Sequence, residues 1–252
     1  MSGHSKWSSI KRKKGANDEK RARVFAKLLR AIEVSAREGG PSIEGNMTLA
    51  SAVQKARDFS VPTDNIERAI KRAAGEGGGA KFEEVTYEGY APGGVAVLVQ
   101  VMTDNRNRTG QEIRHAFTRG GGSLADPGSV AWQFDRRGLV QLEKTTAPDE
   151  ERILELILEA GAEDLRDSGD VWDIVTEPDT LRDVRTALED AGIQVASADL
   201  TMLPQNEVPV GADKAGSVLR LIEELEDLDD VQAVYSNFDI PEEILAHVGE
   251  RV

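Results

Sequence analysis

Residues 83–103 have the sequence EEVTYEGYAPGGVAVLVQVMT, and here the chain changes from helical to strand periodicity. β-Branched and aromatic residues dominate both sides of the Ala91-Pro92-Gly93-Gly94 segment. Two such runs around a Pro-Gly turn predict a hairpin with strands at Glu83–Tyr90 and Val95–Thr103. We therefore expect the α/β part of the chain to begin at this hairpin.

The part before the hairpin has the periodicity of amphipathic helices. Residues 18–37 repeat apolar side chains at helical spacing, and similar patterns follow over 49–56 and 63–73. Gly39-Gly40-Pro41 and Pro62 separate the three segments, and Thr63 or Asp64 is a candidate cap for the third. The sequence predicts a flexible basic arm at 1–17, an α-helical domain at 18–75 and a Gly-rich linker at 76–81.

Beyond the hairpin, a helix is expected to begin after Thr109, because Thr109 and Glu112 fit a capping box. Gly120–Gly122 would end it, and Ser129–Phe134 has the pattern of a strand. Residues 138–203 then predict the order βαββαβ, which is the ferredoxin-like, split-βαβ arrangement. The predicted elements of that unit are strands at 139–143, 164–167, 171–176 and 194–202 and helices at 149–160 and 180–191.

The segments after residue 203 continue an earlier domain. A short extended piece at 207–210, a helix at 218–228 and a strand at 231–235 are too few for a separate core. The predicted fold class is α+β: a three-helix domain, then two α/β domains, one inserted in the other. The discontinuous domain comprises 82–136 plus 204–252, and the inserted ferredoxin-like domain comprises 137–203.

Composition excludes several classes of protein. The 252 residues include no cysteine and three histidines, so disulfides and thiolate sites are impossible and a histidine zinc site is not expected. No apolar run reaches the length of a membrane span, and the basic start is not followed by the apolar segment of a secretory signal. We expect a cytoplasmic protein with no membrane partner, no metal and no cofactor.

The charge is divided unevenly along the chain. The net charge is −14, yet residues 1–74 contain 16 Lys+Arg and 8 Asp+Glu, whereas the remainder contains 15 and 37. A cationic head on an acidic body favours a polyanionic partner for the head.

The head begins with GHSKWSSIKRKKG at residues 3–15. Cationic side chains replace phosphate counterions, and an indole stacks on a base, so this arm predicts nucleic-acid binding. A solvated tail or a targeting peptide is the alternative. The helix at 18–37 extends the basic surface. The main predicted contact residues are Lys6, Trp7, Lys11, Arg12, Lys13, Lys14, Lys20, Arg23, Lys27 and Arg30.

The loop TDNRNRT at 103–109 is a second candidate. Arg106 and Arg108 lie at a predicted helix start, where the helix dipole disfavours positive charge. Two interpretations stay open: each arginine pairs with Glu112 or another internal carboxylate, or the two bind phosphate.

No catalytic motif is present. The chain has no GxxxxGK[ST], no GxGxxG at a strand–helix turn and no HExxH. A metal-dependent nuclease acting on structured DNA would need clustered carboxylates, for which Asp104, Asp126 and Asp135 are candidates. Acidic residues are abundant, so we expect neither an enzyme nor a small-molecule substrate.

The sequence closely resembles the YebC family of probable transcriptional regulators and mitochondrial translational activators. The resemblance rests on the arm at 3–15, PTDNIERAIKRAAG at 62–75, YEGYAPGGVAVLVQ at 87–100, the 103–109 loop and GGGSLADPGSV at 120–130. It implies an α-helical domain and two α/β domains around a cleft. Ala91 and the segment 125–127 depart from the glycines of the family and would alter a loop surface.

The family includes proteins described as DNA-binding regulators and others similar to ribosome-associated translation factors, so two partners follow. A duplex-DNA regulator needs a helix with Asn, Gln and Arg at recognition spacing, and the sequence shows no such helix. Folded RNA needs shape and phosphate contacts, which a basic arm on an acidic body suits. The sequence therefore favours ribosomal RNA over duplex DNA.

Overall fold

A computed structural model describes residues 18–75, 82–241 and 243–245. The predicted arm at 1–17 and the predicted linker at 76–81 lie outside these ranges. The first described elements are three helices: α1 (Asp18–Gly39), α2 (Met47–Asp58) and α3 (Thr63–Ala74).

The three helices enclose a small core. Ile32 of α1, Leu49 and Val53 of α2 and Ile66 of α3 are almost completely buried, because each helix turns its apolar stripe inward. The predicted cap of α3 is wrong: Pro62 occupies that position, and its carbonyl accepts from the backbone N–H of residues 65 and 66. Proline suits this site because a backbone N–H at the start of a helix has no acceptor within the helix, so the lack of one costs nothing.

The predicted hairpin is confirmed. Strand β1 (Glu83–Ala91) pairs antiparallel with β2 (Val95–Thr103) across the predicted turn, where Gly93 and Gly94 have φ of 91° and 80°. The four-stranded sheet has the order β3-β1-β2-β9, with β3 at Ser123–Ala125 and β9 at Val231–Ser236. Its buried core also includes residues of two helices, α4 (Arg106–Arg119) and α7 (Ala212–Asp227).

The chain segment that follows β3 and precedes β9 forms a second sheet. Strands β4 (Phe134–Glu143), β5 (Ala162–Asp167), β6 (Val171–Thr176) and β7 (Ser197–Pro204) are all antiparallel and have the order β5-β6-β4-β7. Helices α5 (Glu150–Glu159) and α6 (Leu181–Asp190) contribute Ile153, Ile157, Val184 and Leu188 to its core. This is the predicted βαββαβ unit, and the α+β fold class is confirmed. Two short strands, β8 (Val208–Pro209) and β10 (Phe238–Asp239), pair in parallel beside the sheets.

Helix α4 begins earlier than predicted, at Arg106. Asn105 is its N-cap, and the Asn105 side chain accepts from the Arg108 backbone N–H at 3.1 Å. The predicted capping box at Thr109 is therefore wrong. Thr109 is instead buried inside the helix, where its hydroxyl donates to the Asp230 carboxylate at 2.6 Å. Helix α7 likewise begins at Ala212 rather than at residue 218.

The strand predicted at Ser129–Phe134 is also wrong. A single 3-10 turn occupies Ala131–Gln133, and β4 starts at Phe134. The buried Glu88 carboxylate of β1 accepts backbone N–H groups of Gly128, Val130 and Ala131 at 2.6–2.9 Å. These N–H groups are consequently not available to a sheet. Burial raises the pKa of Glu88, but these backbone hydrogen bonds more than offset it, so the pKa lies below its usual range.

In the described part of the chain, no helix is both long enough and apolar enough to cross a membrane.

Candidate nucleic-acid interface

The predicted contact residues of the arm lie outside the described residues. These are Lys6, Trp7, Lys11, Arg12, Lys13 and Lys14. Lys20 belongs to α1, and its side chain also falls outside what the structure describes. Their contact with nucleic acid stays a prediction.

The other three predicted residues of α1 meet the C-terminal end of α7. Arg23, Lys27 and Arg30 recur at i, i+4 and i+7, and therefore share one face of the helix. The Lys27 ammonium donates to the backbone carbonyl of Glu226, and Arg23 lies 3.4 Å from the Asp227 carboxylate. Arg30 donates to the Asp229 carbonyl at 3.1 Å and to the Asp230 carboxylate at 2.9 Å. This face is therefore occupied by the chain's own acidic segment.

Asp230 is the centre of these contacts. Its side chain is only 5% exposed, and one oxygen accepts from Thr109 and Arg108 at 2.6 Å and from Thr103 at 3.0 Å. The other oxygen accepts from Arg30. Desolvation raises the pKa of Asp230, but the hydrogen bonds from Thr109, Arg108 and Thr103 and the Arg108 charge outweigh it, so the pKa is lowered. Asp230 is therefore a carboxylate shared by the helical domain and the first sheet.

The two arginines of the 103–109 loop have different surroundings. Arg108 pairs with Asp104 at 3.0 Å and with Asp230 at 2.6 Å, and hydrogen bonding to Asp230, then to Asp104, raises its pKa. The internal pairing expected for Arg108 is therefore present, with Asp104 and Asp230 rather than Glu112 as partners, and its contact with phosphate stays a prediction. Arg106 is exposed, and within the described residues its side chain forms no ion pair with a carboxylate. Arg106 stays a candidate phosphate contact.

A cleft of about 770 Å³ separates α1 from the start of α4 and the end of α7. Phe82 forms part of its wall, and the Arg30 guanidinium lies 5.2 Å from the centre of the Phe82 ring. The charged lining alternates in sign, so the cleft as it stands is not a uniformly positive groove. Its remaining lining residues are Arg23, Asp104, Arg108, Glu112 and Asp227 to Asp230.

The sequence-based prediction does not include one exposed polar surface, which lies on α4. The α4 helix exposes Asn107, Gln111 and Arg114 at i, i+4 and i+7, and their side chains have no hydrogen-bond or ion-pair partner among the described residues. A helix predicted to begin after Thr109 excludes Asn107, so that prediction does not place these three side chains on one helix face. Asn105 is a second acceptable N-cap in the sequence, and only a helix that begins there includes Asn107.

The helical domain also contacts the inserted domain. Asp58 of α2 accepts both Nη groups of Arg185 at 3.0 and 3.1 Å, and Lys55 lies 3.3 Å from Asp199 of β7. Bidentate guanidinium–carboxylate pairs fix orientation as well as distance. The helical domain is thus held by ionic contacts on both sides.

The carboxylates considered for a nuclease do not form a metal site. Asp104 pairs with Arg108, and Asp135 accepts from Gln205 at 3.0 Å. Across the ranges that the structure describes, no three His, Asp or Glu side chains are grouped to hold a metal ion.

These observations define a class: α+β proteins in which a helical domain closes a charged cleft against the first of two α/β domains and contacts the second through ion pairs. Residues 5–76 match the family model described as the TACO1/YebC protein N-terminal domain, and residues 82–238 match the model for the TACO1/YebC second and third domain. The chain belongs to the TACO1/YebC family, as the sequence resemblance predicts.

Two curated relatives and one solved structure show how far the similarity extends. A protein of Rubrobacter xylanophilus is 57% identical over 250 residues, and one of Mycolicibacterium smegmatis is 54% identical over 251; each alignment covers 99% of this chain and 100% of the relative. Both are named probable transcriptional regulatory protein. The crystal structure of a conserved hypothetical protein from Aquifex aeolicus matches with a TM-score of 0.82 and 46% identity, covering 90% of this chain and 94% of that chain.

Proposed function

We propose that this protein is a non-enzymatic regulator of gene expression that binds nucleic acid through its basic N-terminal arm. The observation that carries the proposal is the charge division between residues 1–74 and the acidic remainder. A polyanion is attracted to the head and repelled by the body, so binding is confined to one end of the molecule. The names of the relatives, which are regulators rather than enzymes, support the same class of function.

The first candidate partner is ribosomal RNA, with a role in translation. Folded RNA is recognised through shape and phosphate contacts, for which dense Lys and Arg residues without base-reading amides are sufficient. The acidic body would limit non-specific wrapping by the surrounding RNA.

Duplex DNA is the second candidate, and the exposed face of α4 supports it. Asn and Gln amides pair with adenine and Arg pairs with guanine in the major groove. Asn107, Gln111 and Arg114 lie at a spacing that places them side by side on one helix face. The names of the relatives, which refer to transcription, agree with this candidate.

Deleting residues 1–16 tests the proposal. The deletion removes Lys6, Trp7 and the cations at 11–14, so nucleic-acid binding should fall strongly and the salt dependence should become shallower by up to about 4–5 in log–log slope. The matched control neutralises Arg152 and Arg182, which are exposed on the inserted domain, and should leave the slope unchanged. An unchanged slope after the deletion would refute the role of the arm.

Cosedimentation with ribosomes, run beside DNA capture at the same salt concentration, separates the two partners. Salt-sensitive ribosome association with weak, sequence-indifferent DNA binding supports ribosomal RNA. A specific duplex site bound about 10³-fold or more above random duplex at physiological salt supports DNA.

A further inference from the structure

Helix α7 ends in carboxylates where its own dipole disfavours them. Glu223, Glu224, Glu226 and Asp227 are four of its last five residues, none of which is basic. The C-terminal end of a helix carries partial negative charge, so acidic side chains there are unfavourable unless cations lie close by. Asp229 and Asp230 continue the acidic segment beyond the helix.

Arg119 of α4 lies 3.1 Å from the Glu224 carboxylate, and the other nearby cations come from α1. Lys27 donates to the last-turn carbonyl of Glu226, Arg23 pairs with Asp227, and Arg30 reaches Asp229 and Asp230. Three cations spaced along one helix face thus meet a series of acceptor oxygens that includes anionic carboxylates and neutral backbone carbonyls. A phosphate backbone presents the same kind of oxygen series to a basic helix.

The two ends of this contact differ in exposure. The Arg23 and Asp227 side chains are 45% and 42% exposed, and such ion pairs contribute little and exchange readily. Asp230 is 5% exposed and accepts from four donors, so we expect its bond to Arg30 to be more stable than the Arg23–Asp227 pair.

We propose that the acidic end of α7, residues 223–227, is a built-in competitor that occupies Arg23 and Lys27 of α1 until nucleic acid displaces it. The proposal rests on the proposed function and adds regulation to the same surface. Nucleic acid first engages the arm and then gains Arg23 and Lys27 only by breaking their contacts with Asp227 and Glu226. Arg30 and Asp230 act as the pivot about which the cleft widens. The cost of displacement lowers the affinity, because the binding-competent arrangement is only partly populated.

Asp227→Asn tests the competition. The substitution removes the carboxylate that holds Arg23, so affinity for a mixed-sequence DNA duplex of about 20 base pairs, and for purified ribosomal RNA, should rise about two- to fivefold. The matched control is Asp213→Asn, which changes the net charge equally at the first turn of the same helix. The two positions lie about 21 Å apart along the axis. The control should raise affinity less than twofold.

Stability separates competition from a purely structural pair. Removing Asp227 relieves the unfavourable charge at the end of α7, so thermal stability should not fall. Lower stability with unchanged affinity would identify the Arg23–Asp227 pair as a structural contact and overturn the proposal. Equal gains in affinity for Asp227→Asn and Asp213→Asn would also overturn it, because the effect would then be one of net charge.

Opening of the cleft can be measured directly, because the chain has no cysteine. Ala26→Cys on α1 and Arg220→Cys on α7 place spin labels at two exposed positions on either side of the contact. The distance between the labels should lengthen when ribosomal RNA or the duplex is added. No change in this distance on binding would overturn the proposal while leaving the proposed function intact. Binding of neither probe, by the wild type and by Asp227→Asn alike, would overturn both.

Discussion

Replacing Asp230 by asparagine would separate the charge of this side chain from its shape. In the folded protein one carboxylate oxygen accepts from Thr103, Thr109 and Arg108, and the other accepts from Arg30. Asparagine has nearly the same volume but keeps only one acceptor oxygen. Its NH₂ group must therefore face either Arg30 or the three other donors.

The expected cost follows from this mismatch. A buried polar group left without its partner costs about 1–3 kcal/mol, and breaking a buried ion pair costs about 3–5 kcal/mol. Because Asp230 is 5% exposed while Arg30 is 26% exposed and keeps the Asp229 carbonyl, we expect Asp230→Asn to lower the free energy of unfolding by about 2–4 kcal/mol.

Urea unfolding at pH 7 measures this change, and Asp104→Asn is its matched control. Asp104 shares Arg108 with Asp230 but is 39% exposed, so its replacement should cost below about 1 kcal/mol. An equal cost for the two variants would contradict the role of burial.

The pH dependence gives an independent check. The folded-state pKa of Asp230 is lowered, so its contribution is fully present above the unfolded pKa of about 3.9 and is lost as the pH falls through the folded-state value. The difference in stability between wild type and Asp230→Asn should be the same at pH 6 and pH 7 and smaller near pH 3. A difference that stays constant to pH 3 would refute the charge-based account.

Three further substitutions test the neighbouring features. Glu88→Gln leaves one oxygen for the N–H groups of residues 128, 130 and 131, so stability should fall by about 1–3 kcal/mol, and hydrogen exchange at those amides should speed up. Arg108→Gln should lower the melting temperature because it removes a donor to Asp230, whereas the exposed Arg106→Gln should leave it unchanged and reduce the salt slope of nucleic-acid binding by about 1. A melting temperature lowered by Arg106→Gln would show that Arg106 is structural.

The predicted elements that the structure confirms are those set by local sequence. The hairpin at 83–103 and the βαββαβ unit depend on periodicity and turn residues within short windows. The start of α4 was not predictable in this way, because Asn105 and Thr109 are both acceptable caps. The Thr109 hydroxyl donates to Asp230, which lies 121 positions further along the chain, so Thr109 is inside the helix and Asn105 is the cap. Glu88, about 40 positions earlier in the chain, similarly accepts backbone N–H groups of this segment, so Ser129–Phe134 does not form the predicted strand.

The candidate interface shows the same limit. Charge density along the sequence identifies the arm and the basic face of α1, because both are local properties. The partner of that face, the segment at 226–230, lies about 200 positions downstream, so no local pattern links the two. The pairing of Arg108 with Asp230 is hidden for the same reason.

The distribution of charge explains why an acidic protein would place its binding residues in an arm. Screening at physiological salt limits electrostatic attraction to about 8 Å, so the net charge of −14 does not prevent a basic segment at one end from meeting a polyanion. Arg23, Lys27 and Arg30 already have partners in the acidic segment at 226–230, so on the proposed function a polyanion meets the cations of the arm before those of α1. The acidic segment that we propose to lower affinity at α1 also positions the helical domain on the first sheet. On the proposed competition, interdomain geometry and nucleic-acid affinity are coupled through the same four residues, 226, 227, 229 and 230.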